Sequence, residues 1–288
     1  MIGSKALTSR APAHAYIPEP SRPLIKLLAC LAVFLSLAFA HGGLATPSAA
    51  KRTIRVMTYN IHHGEGADGR LDLNRIAEVI LSQRADIVAL QEVDRGVERT
   101  ARRDIIAELA ALTGMNYAFG KNIDYQGGDY GNAVLTRYPI LRQENHHYKM
   151  MRQGEQRGLL QVVLKADGKQ LLLLNTHLDY RRDDAERLSN VDEIRQIRER
   201  YKGLPAILCG DLNDTPGSRT HRKLEEILVD AWARIGKGEG FSYPSTQPQK
   251  RIDYVLVSKG KAFAPAGAWV VESPASDHLP VVVELKLT

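Results

Sequence analysis

Residues 159–177 read LLQVVLKADGKQLLLLNTH. Two apolar runs, Leu159–Leu164 and Leu171–Asn175, flank Asp167-Gly168, a pair suited to a two-residue turn whose central positions both need positive φ. The segment therefore predicts a hairpin of two buried strands. Working outward from it, further apolar or alternating runs predict strands at Ile54–Thr58, Asp86–Gln91, Ala133–Thr136, Ala206–Cys209, Ile252–Val257, Ala268–Val271 and Val281–Leu287. Between them Leu73, Ile76, Ala77 and Ile80 recur at helical spacing, as do Ile105, Ile106, Leu109 and Leu112. Leu188, Val191, Ile194 and Ile197 repeat the pattern, and Leu224, Ile227 and Leu228 carry a shorter version of it. Strand–helix–strand units mixed with hairpins give an α/β domain and exclude a simple doubly wound parallel sheet.

The chain has 288 residues, 44% hydrophobic and 25% charged. These are ordinary globular values and exclude a wholly disordered, collagen-like or polytopic membrane protein. The net charge of +6 invites a nucleic-acid partner, but the charge is unevenly spread. Leu27–Ala40 is an uncharged apolar run preceded by Lys5, Arg10, Arg22 and Lys26 and closed by Ala38-Phe39-Ala40. A basic stretch, a short apolar core and a small-x-small ending form the pattern of a secretory signal peptide. The run is shorter than the ~20 residues of a membrane-spanning helix. Residues 1–50 are thus expected to be a signal peptide or N-terminal anchor plus linker, with a single domain over residues 51–288 exported to the periplasm or beyond. Without residues 1–48 the chain keeps 35 basic and 32 acidic side chains, a net +3. Of two cysteines, Cys30 lies in the leader and Cys209 inside an apolar run, which excludes a disulfide scaffold and a multi-cysteine zinc site.

Polar residues cluster where the strands end. Asn60 follows the first, Glu92 and Asp94 the second, His177 and Asp179 the run at 171–175, and Asp211, Asn213 and Asp214 the run at 206–209. Asp277 and His278 precede the last strand, and Asp253 lies within an apolar one, where a charge must be paired or bind a cation. Polar groups leaving several strands at one sheet edge meet in the crevice where α/β folds bind ligands. Carboxylates and amides are hard oxygen donors, suited to Mg²⁺ with Mn²⁺ or Ca²⁺ as substitutes, and such an ion is commonly shared with a phosphate. No HExxH, CxxC or Gly-x-Ser-x-Gly occurs. One metal, an Asp, an Asn and two His supply what phosphoester hydrolysis needs: an activated water, neutralised phosphoryl charge and help for the leaving oxygen.

The ordered motifs Thr58-Tyr-Asn-Ile61, Gln91-Glu-Val93, Asn175-Thr-His-Leu-Asp179, Gly210-Asp-Leu-Asn213, Arg251-Ile-Asp-Tyr254 and Ser276-Asp-His-Leu-Pro280 resemble those of the endonuclease/exonuclease/phosphatase superfamily, over residues 54–286. Gly131–Ile140 and Arg157-Gly158 resemble its exported bacterial branch. The resemblance implies a four-layer α/β sandwich, two mixed β-sheets packed face to face with helices on the outer faces, and divalent-metal-dependent phosphoesterase chemistry. It implies Glu92 as the main metal ligand, with Asn60 and Asp277 completing or supporting the site. It further implies Asp211 as the group that orients or deprotonates the attacking water, and Asn213 as a holder of a phosphate oxygen. His278, oriented by Asp253, would stabilise the phosphoryl transition state or act as general acid/base, and His177 would contact the phosphate. Nuclease-type relatives place an acidic residue beside the equivalent of His177, and no such partner is identifiable in the sequence. Arg157 is a candidate phosphate grip.

Gly64-Glu-Gly-Ala-Asp-Gly69 matches a dinucleotide-binding fingerprint. His62-His63 separates it from the strand, however, and Asp72 is placed to cap the helix, so the glycines would not open it. That argues against an oxidoreductase and makes the loop a rim of the cleft. A non-catalytic secreted binding protein on the same fold is the second alternative, opposed by the intact set of polar residues. The substrate is left open between nucleic acid, phospholipid headgroup and small phosphate ester. Arg99, Arg102, Arg103 and Arg181-Arg182 read as solvated charges, His62-His63 and His146-His147 as surface pairs, and no stretch points to a stable protein partner.

Overall fold

A computed structural model describes residues 53–288. The expected leader lies outside the described residues. The first sheet has the order β11-β12-β1-β2-β4-β3, from β1 (Thr53–Asn60), β2 (Ile87–Arg95), β3 (Asn116–Tyr125), β4 (Gly128–Thr136), β11 (Phe263–Val270) and β12 (Val281–Leu287). The second has the order β5-β6-β7-β8-β10-β9, from β5 (Ile140–His147), β6 (Gly158–Ala166), β7 (Lys169–His177), β8 (Ala206–Asp211), β9 (Leu228–Asp230) and β10 (Asp253–Ser258). Each is mixed, with one parallel pair near its centre: β1 with β2, and β7 with β8. Parallel neighbours need a crossover, and α1 (Leu73–Ser82) and α3 (Ala185–Arg200) supply it. The hairpin at 159–177 forms as expected, Ala166 pairing with Lys169 across Asp167 (φ 49°) and Gly168 (φ 81°).

Alternation along the strands creates the layers. Ile54, Val56, Ile87 and Ala89 of one sheet meet Leu160, Val162, Leu173, Ile207, Cys209 and Val255 of the other in a core between the sheets. The opposite face of the first sheet, Met57, Tyr59, Val88 and Leu90, packs under α1 and α2 (Ile105–Thr113). The opposite face of the second, Leu172, Leu174, Leu208 and Leu256, packs under α3 and α4 (Arg219–Glu225). The four layers implied by the resemblance are thus present. Asp72 caps α1 through Asn74 N at 3.0 Å, so the glycines of 64–69 precede the helix without opening it.

Three details differ from the sequence expectations. β3 and β5 were not expected; both are edge strands, and β5 has no buried residue, so pairing with one neighbour defines it. α4 ends at Glu225, and Leu228 belongs to β9, paired with β10, where the expected pattern continued a helix. Asn60, His177 and Asp211 are the last residues of their strands, not the first of the following loops, because ladder pairing persists to them: Asn60 with Gln91, His177 with Asp211. No helix of the described residues is long and apolar enough to cross a membrane.

Candidate active site

The same alternation that builds the inner core delivers the site. On β1 the inward row Ile54, Val56, Thr58 ends at Asn60. On β7 the row Leu171, Leu173, Asn175 ends at His177. On β8, Ile207 and Cys209 lead to Asp211, and on β10, Val257 and Val255 lead to Asp253. Between the apolar core and these groups lies a floor of buried amides. Gln91 Nε2 donates to Asn175 Oδ1 at 2.7 Å across the sheets, and Asn175 Nδ2 donates to Leu90 O and Ala133 O, both at 2.8 Å.

Glu92 needs a special device. Strict alternation would turn it toward the helices, but a bulge falls between Leu90 and Val93 on β2, where Leu90 pairs with Ala133 and Val93 with Gly131. Val93 takes the helix-facing place in the core, and Glu92, at φ 59°, is freed toward the cavity. Gly210 is a second backbone requirement: a Cβ on it would lie 1.9 Å from Thr176 O, so only glycine lets β8 approach β7 just before Asp211.

Asp211 is the hub. Its Oδ2 lies 3.2 Å from Asn60 Nδ2, 3.5 Å from His177 Nε2 and 3.7 Å from His278 Nε2, and its Oδ1 accepts from Asn213 N at 2.8 Å. Burial, and then the nearby Asp253 carboxylate, push its pKa up to about 7. His278 Nδ1 meets Asp253 Oδ2 at 2.9 Å, and Ser242 Oγ donates to the same oxygen at 2.6 Å. Burial alone would lower the His278 pKa, but Asp253, Asp211 and Asp277 outweigh it and raise it to about 10. His177 behaves oppositely, held well below the ordinary histidine range by burial, Arg157 and His278. Asn213 Nδ2 is a donor 3.0 Å from His177 Nε2, so that nitrogen carries the lone pair and the neutral ring points Nδ1–H toward Glu92 Oε1, 4.0 Å away. Asn213 and Asp211 on the Nε2 side and Glu92 on the Nδ1 side are the groups that face His177, whose partner the sequence left unplaced. Two imidazoles thus share one cavity, one cationic and one neutral.

Asp211, Asn213, His177 and His278 line a cavity of about 480 Å³ together with Glu92, Asp277, Tyr130, Glu155, Arg157, Tyr243 and Lys250. Asn60 and Asp253 support the cavity through Asp211 and His278 without lining it, and of the other strand-end carboxylates Asp94 is held by Arg99 away from it. Asn60 Nδ2 also donates to Glu92 Oε1 at 2.9 Å, while its Oδ1 accepts from His62 N at 3.1 Å. Ser276 Oγ donates to Asn60 O and accepts from His278 N, tying the loop that carries Asp277 and His278 to the end of β1. Arg157 is buried, its Nη1 3.0 Å from Glu155 Oε1. Asp179 accepts from Arg181 and does not line the cavity. Glu92 and Asp277 present carboxylates to the cavity, and among the described residues neither meets a Lys or Arg within ion-pair distance. Their hard oxygens fit a divalent cation of the Mg²⁺ type.

Ser242, Tyr243 and Glu155 were not anticipated. The Tyr243 ring lies 4.7 Å from that of His278, but the segment between α5 (Ala231–Ile235) and β10 has no periodicity to single out either it or Ser242. Glu155 carried a signal in its spacing of two from Arg157. The loop at 64–69 is not a rim of the cavity: Ala67 N donates to Pro274 O, so it braces the segment before Asp277. Nor is His62-His63 a surface pair, since the chain folds back after β1 with both residues at positive φ and His63 only 8% exposed.

Comparison with known proteins places these features in a wider group. Residues 57–278 match the model of the Endonuclease/Exonuclease/phosphatase family. The uncharacterized protein YbhP of Escherichia coli K12 is 30% identical over 251 residues, 82% of this chain and 97% of that protein. Among solved structures, an endonuclease/exonuclease/phosphatase from Beutenbergia cavernae is 26% identical with a TM-score of 0.68, over 82% of this chain and 72% of the other. The mannosyl-6-phosphatase of Bacteroides thetaiotaomicron shares the fold at 20% identity and a TM-score of 0.67, over 81% and 99% of the two chains.

Proposed function

The chain belongs to the endonuclease/exonuclease/phosphatase family, and from that premise we propose that it is a divalent-metal-dependent hydrolase of phosphoester bonds. The observation that carries the proposal is the convergence of Asn60, His177 and His278 on one buried Asp211 oxygen, within 3.2 to 3.7 Å. A carboxylate whose pKa is raised to about 7 is basic enough to accept a proton from an attacking water at neutral pH. His278, kept cationic by Asp253, directs Nε2–H into the cavity and stabilises the phosphoryl oxygen on which charge develops. Neutral His177 contacts the phosphate as a hydrogen-bond partner, and Arg157 contributes a fixed positive charge to the cavity lining. Asn213 fixes both Asp211 and His177. A divalent ion of the Mg²⁺ type held by Glu92 and Asp277, with Asn60 orienting Glu92, would neutralise charge on the phosphate when bound.

The substrate class we favour is a small phosphate ester or phospholipid headgroup. Of the five arginines that could follow a nucleic-acid backbone, three are engaged by carboxylates, Arg99 by Asp94, Arg103 by Glu108 and Arg181 by Asp179, which leaves Arg102 and Arg182 as a small basic surface. The test is turnover of p-nitrophenyl phosphate, bis-p-nitrophenyl phosphate, phospholipid headgroup esters and DNA, with Mg²⁺ or Mn²⁺ and with EDTA. Activity should vanish with EDTA, fall at least about 100-fold in Glu92→Ala and His278→Ala, and be lowest on DNA. A folded protein that turned over no phosphoester with either ion would leave the binding-protein alternative in its place. Export is the setting we propose from the Leu27–Ala40 run, to be checked by the N-terminal sequence of the protein recovered outside the cytoplasm.

A further inference from the structure

We propose that His62, His63 and Glu92 form a second cation site, distinct in chemistry from the oxygen-lined cavity and suited to a transition-metal ion of the Zn²⁺ or Co²⁺ class. One ligand atom from each of the three lies within 4.8 Å of the others. Both Nδ1 atoms are buried without a hydrogen-bond partner, and the His63 side chain as a whole is nine-tenths buried. An imidazole nitrogen buried with nothing to bond costs stability unless something fills the place, and here each of two neighbouring rings has one such nitrogen and one ligand atom within reach of the same carboxylate. The rings pack edge to face with centroids 4.5 Å apart, and Asn60 Oδ1 pins the turn by accepting from His62 N at 3.1 Å. The turn that carries the pair is thus held to the end of β1, beside Glu92.

Two imidazoles and one carboxylate are the donors of borderline transition ions, whereas Glu92 with Asp277 offers oxygen alone. Ligand atoms around a tetrahedral ion with bonds near 2.05 Å stand roughly 3.4 Å apart, so binding requires the three side chains to close by at most about 1.4 Å. Glu92 has two oxygens, one of which accepts from Asn60, and its side chain is 21% exposed, enough for an ion to enter from the cavity. The competing partner is Glu65, whose Oε2 lies 3.4 Å from His63 Nε2; that contact uses the other ring nitrogen and leaves Nδ1 available.

The test is titration of the untagged full chain with Co²⁺ alone, read by ligand-field absorption, and equilibrium dialysis with Zn²⁺. With Mg²⁺ in excess to occupy the site of Glu92 and Asp277, the wild type should still bind one equivalent of Co²⁺ or Zn²⁺. Binding should weaken at least tenfold in His62→Ala and in His63→Ala and persist in Asp277→Asn. His62→Gln, checked by circular dichroism, provides a folded variant if alanine disturbs the turn, and should show the same loss. Absence of bound Co²⁺, wild-type binding by the His62 or His63 variants, or loss of binding in His146→Ala with His147→Ala would overturn the proposal. The readout involves no turnover, so a protein inactive on every phosphoester could still bind Co²⁺ through these histidines.

Discussion

Replacing Asn175 by alanine tests whether the amide floor holds the two sheets together beneath the site. The side chain is fully buried and makes three bonds: two donated to Leu90 O and Ala133 O at 2.8 Å, and one accepted from Gln91 Nε2 at 2.7 Å. Each buried group left without a partner costs about 1–3 kcal/mol. Gln91 Nε2 keeps longer contacts to Ala89 O at 3.2 Å and Thr58 Oγ1 at 3.3 Å, which moves the total to the lower part of the range, about 3–5 kcal/mol. With a urea slope of about 3 kcal/mol/M, the midpoint should fall by about 1–1.7 M. Equilibrium unfolding followed by circular dichroism measures this directly. Gln91→Ala and the double variant complete a cycle, and the coupling should be about 1–2 kcal/mol because one bond is common to both. A midpoint shift under about 0.3 M, or no coupling, would show that water or repacking replaces the amides and that they do not join the sheets.

The remaining predictions are narrower. Gly168→Ala should cost about 1–2 kcal/mol, read from the urea midpoint, since a Cβ there meets nothing within 4 Å and only the φ of 81° opposes it; a neutral result would contradict the turn assignment. Burial acts to raise the pKa of Asp230, but His221 at 3.0 Å and Arg251 at 2.8 Å outweigh it and hold the carboxyl below its ordinary 3.8. A depressed folded pKa contributes stability that is complete above the unfolded value and is lost as pH falls through the folded one. Urea midpoints should therefore drop below about pH 4, and Asp230→Asn should flatten part of that acid limb while destabilising the protein at pH 7; an unchanged limb would clear Asp230 of the role. Ser242→Ala removes the buried 2.6 Å bond that orients Asp253 and should lower kcat about tenfold with little change in KM, at a stability cost of about 1–3 kcal/mol read from the urea midpoint. A lowered midpoint with kcat unchanged would make Ser242 a packing residue instead.

Much of the site was legible because its residues sit at the ends of apolar runs, and a run of Leu171–Leu174 or Ala206–Cys209 announces both a strand and the point where it leaves the core. Asp253 was visible for the opposite reason, a charge where the pattern demands an apolar side chain. What escaped was defined by partners instead of pattern. β5 reads ILRQENHH and exists because β6 offers it a ladder; Ser242 and Tyr243 matter because Asp253 and His278 come to them from far along the chain. The buried place of His63 follows from a backbone turn at positive φ that no periodicity encodes. The amides Gln91 and Asn175 looked like strand ends, and only the facing of the two sheets makes them a joint.

The bulge at Glu92 sets regularity against chemistry. Deleting one residue between Leu90 and Val93 would let β2 and β4 zip without interruption, and by ladder pairing alone that sheet would be the sounder one. It would also remove the extra residue that keeps Val93 on the helix side while the carboxylate stands in the cavity. A drift toward the smoother strand would therefore pass every test of folding and show itself only in what the protein binds.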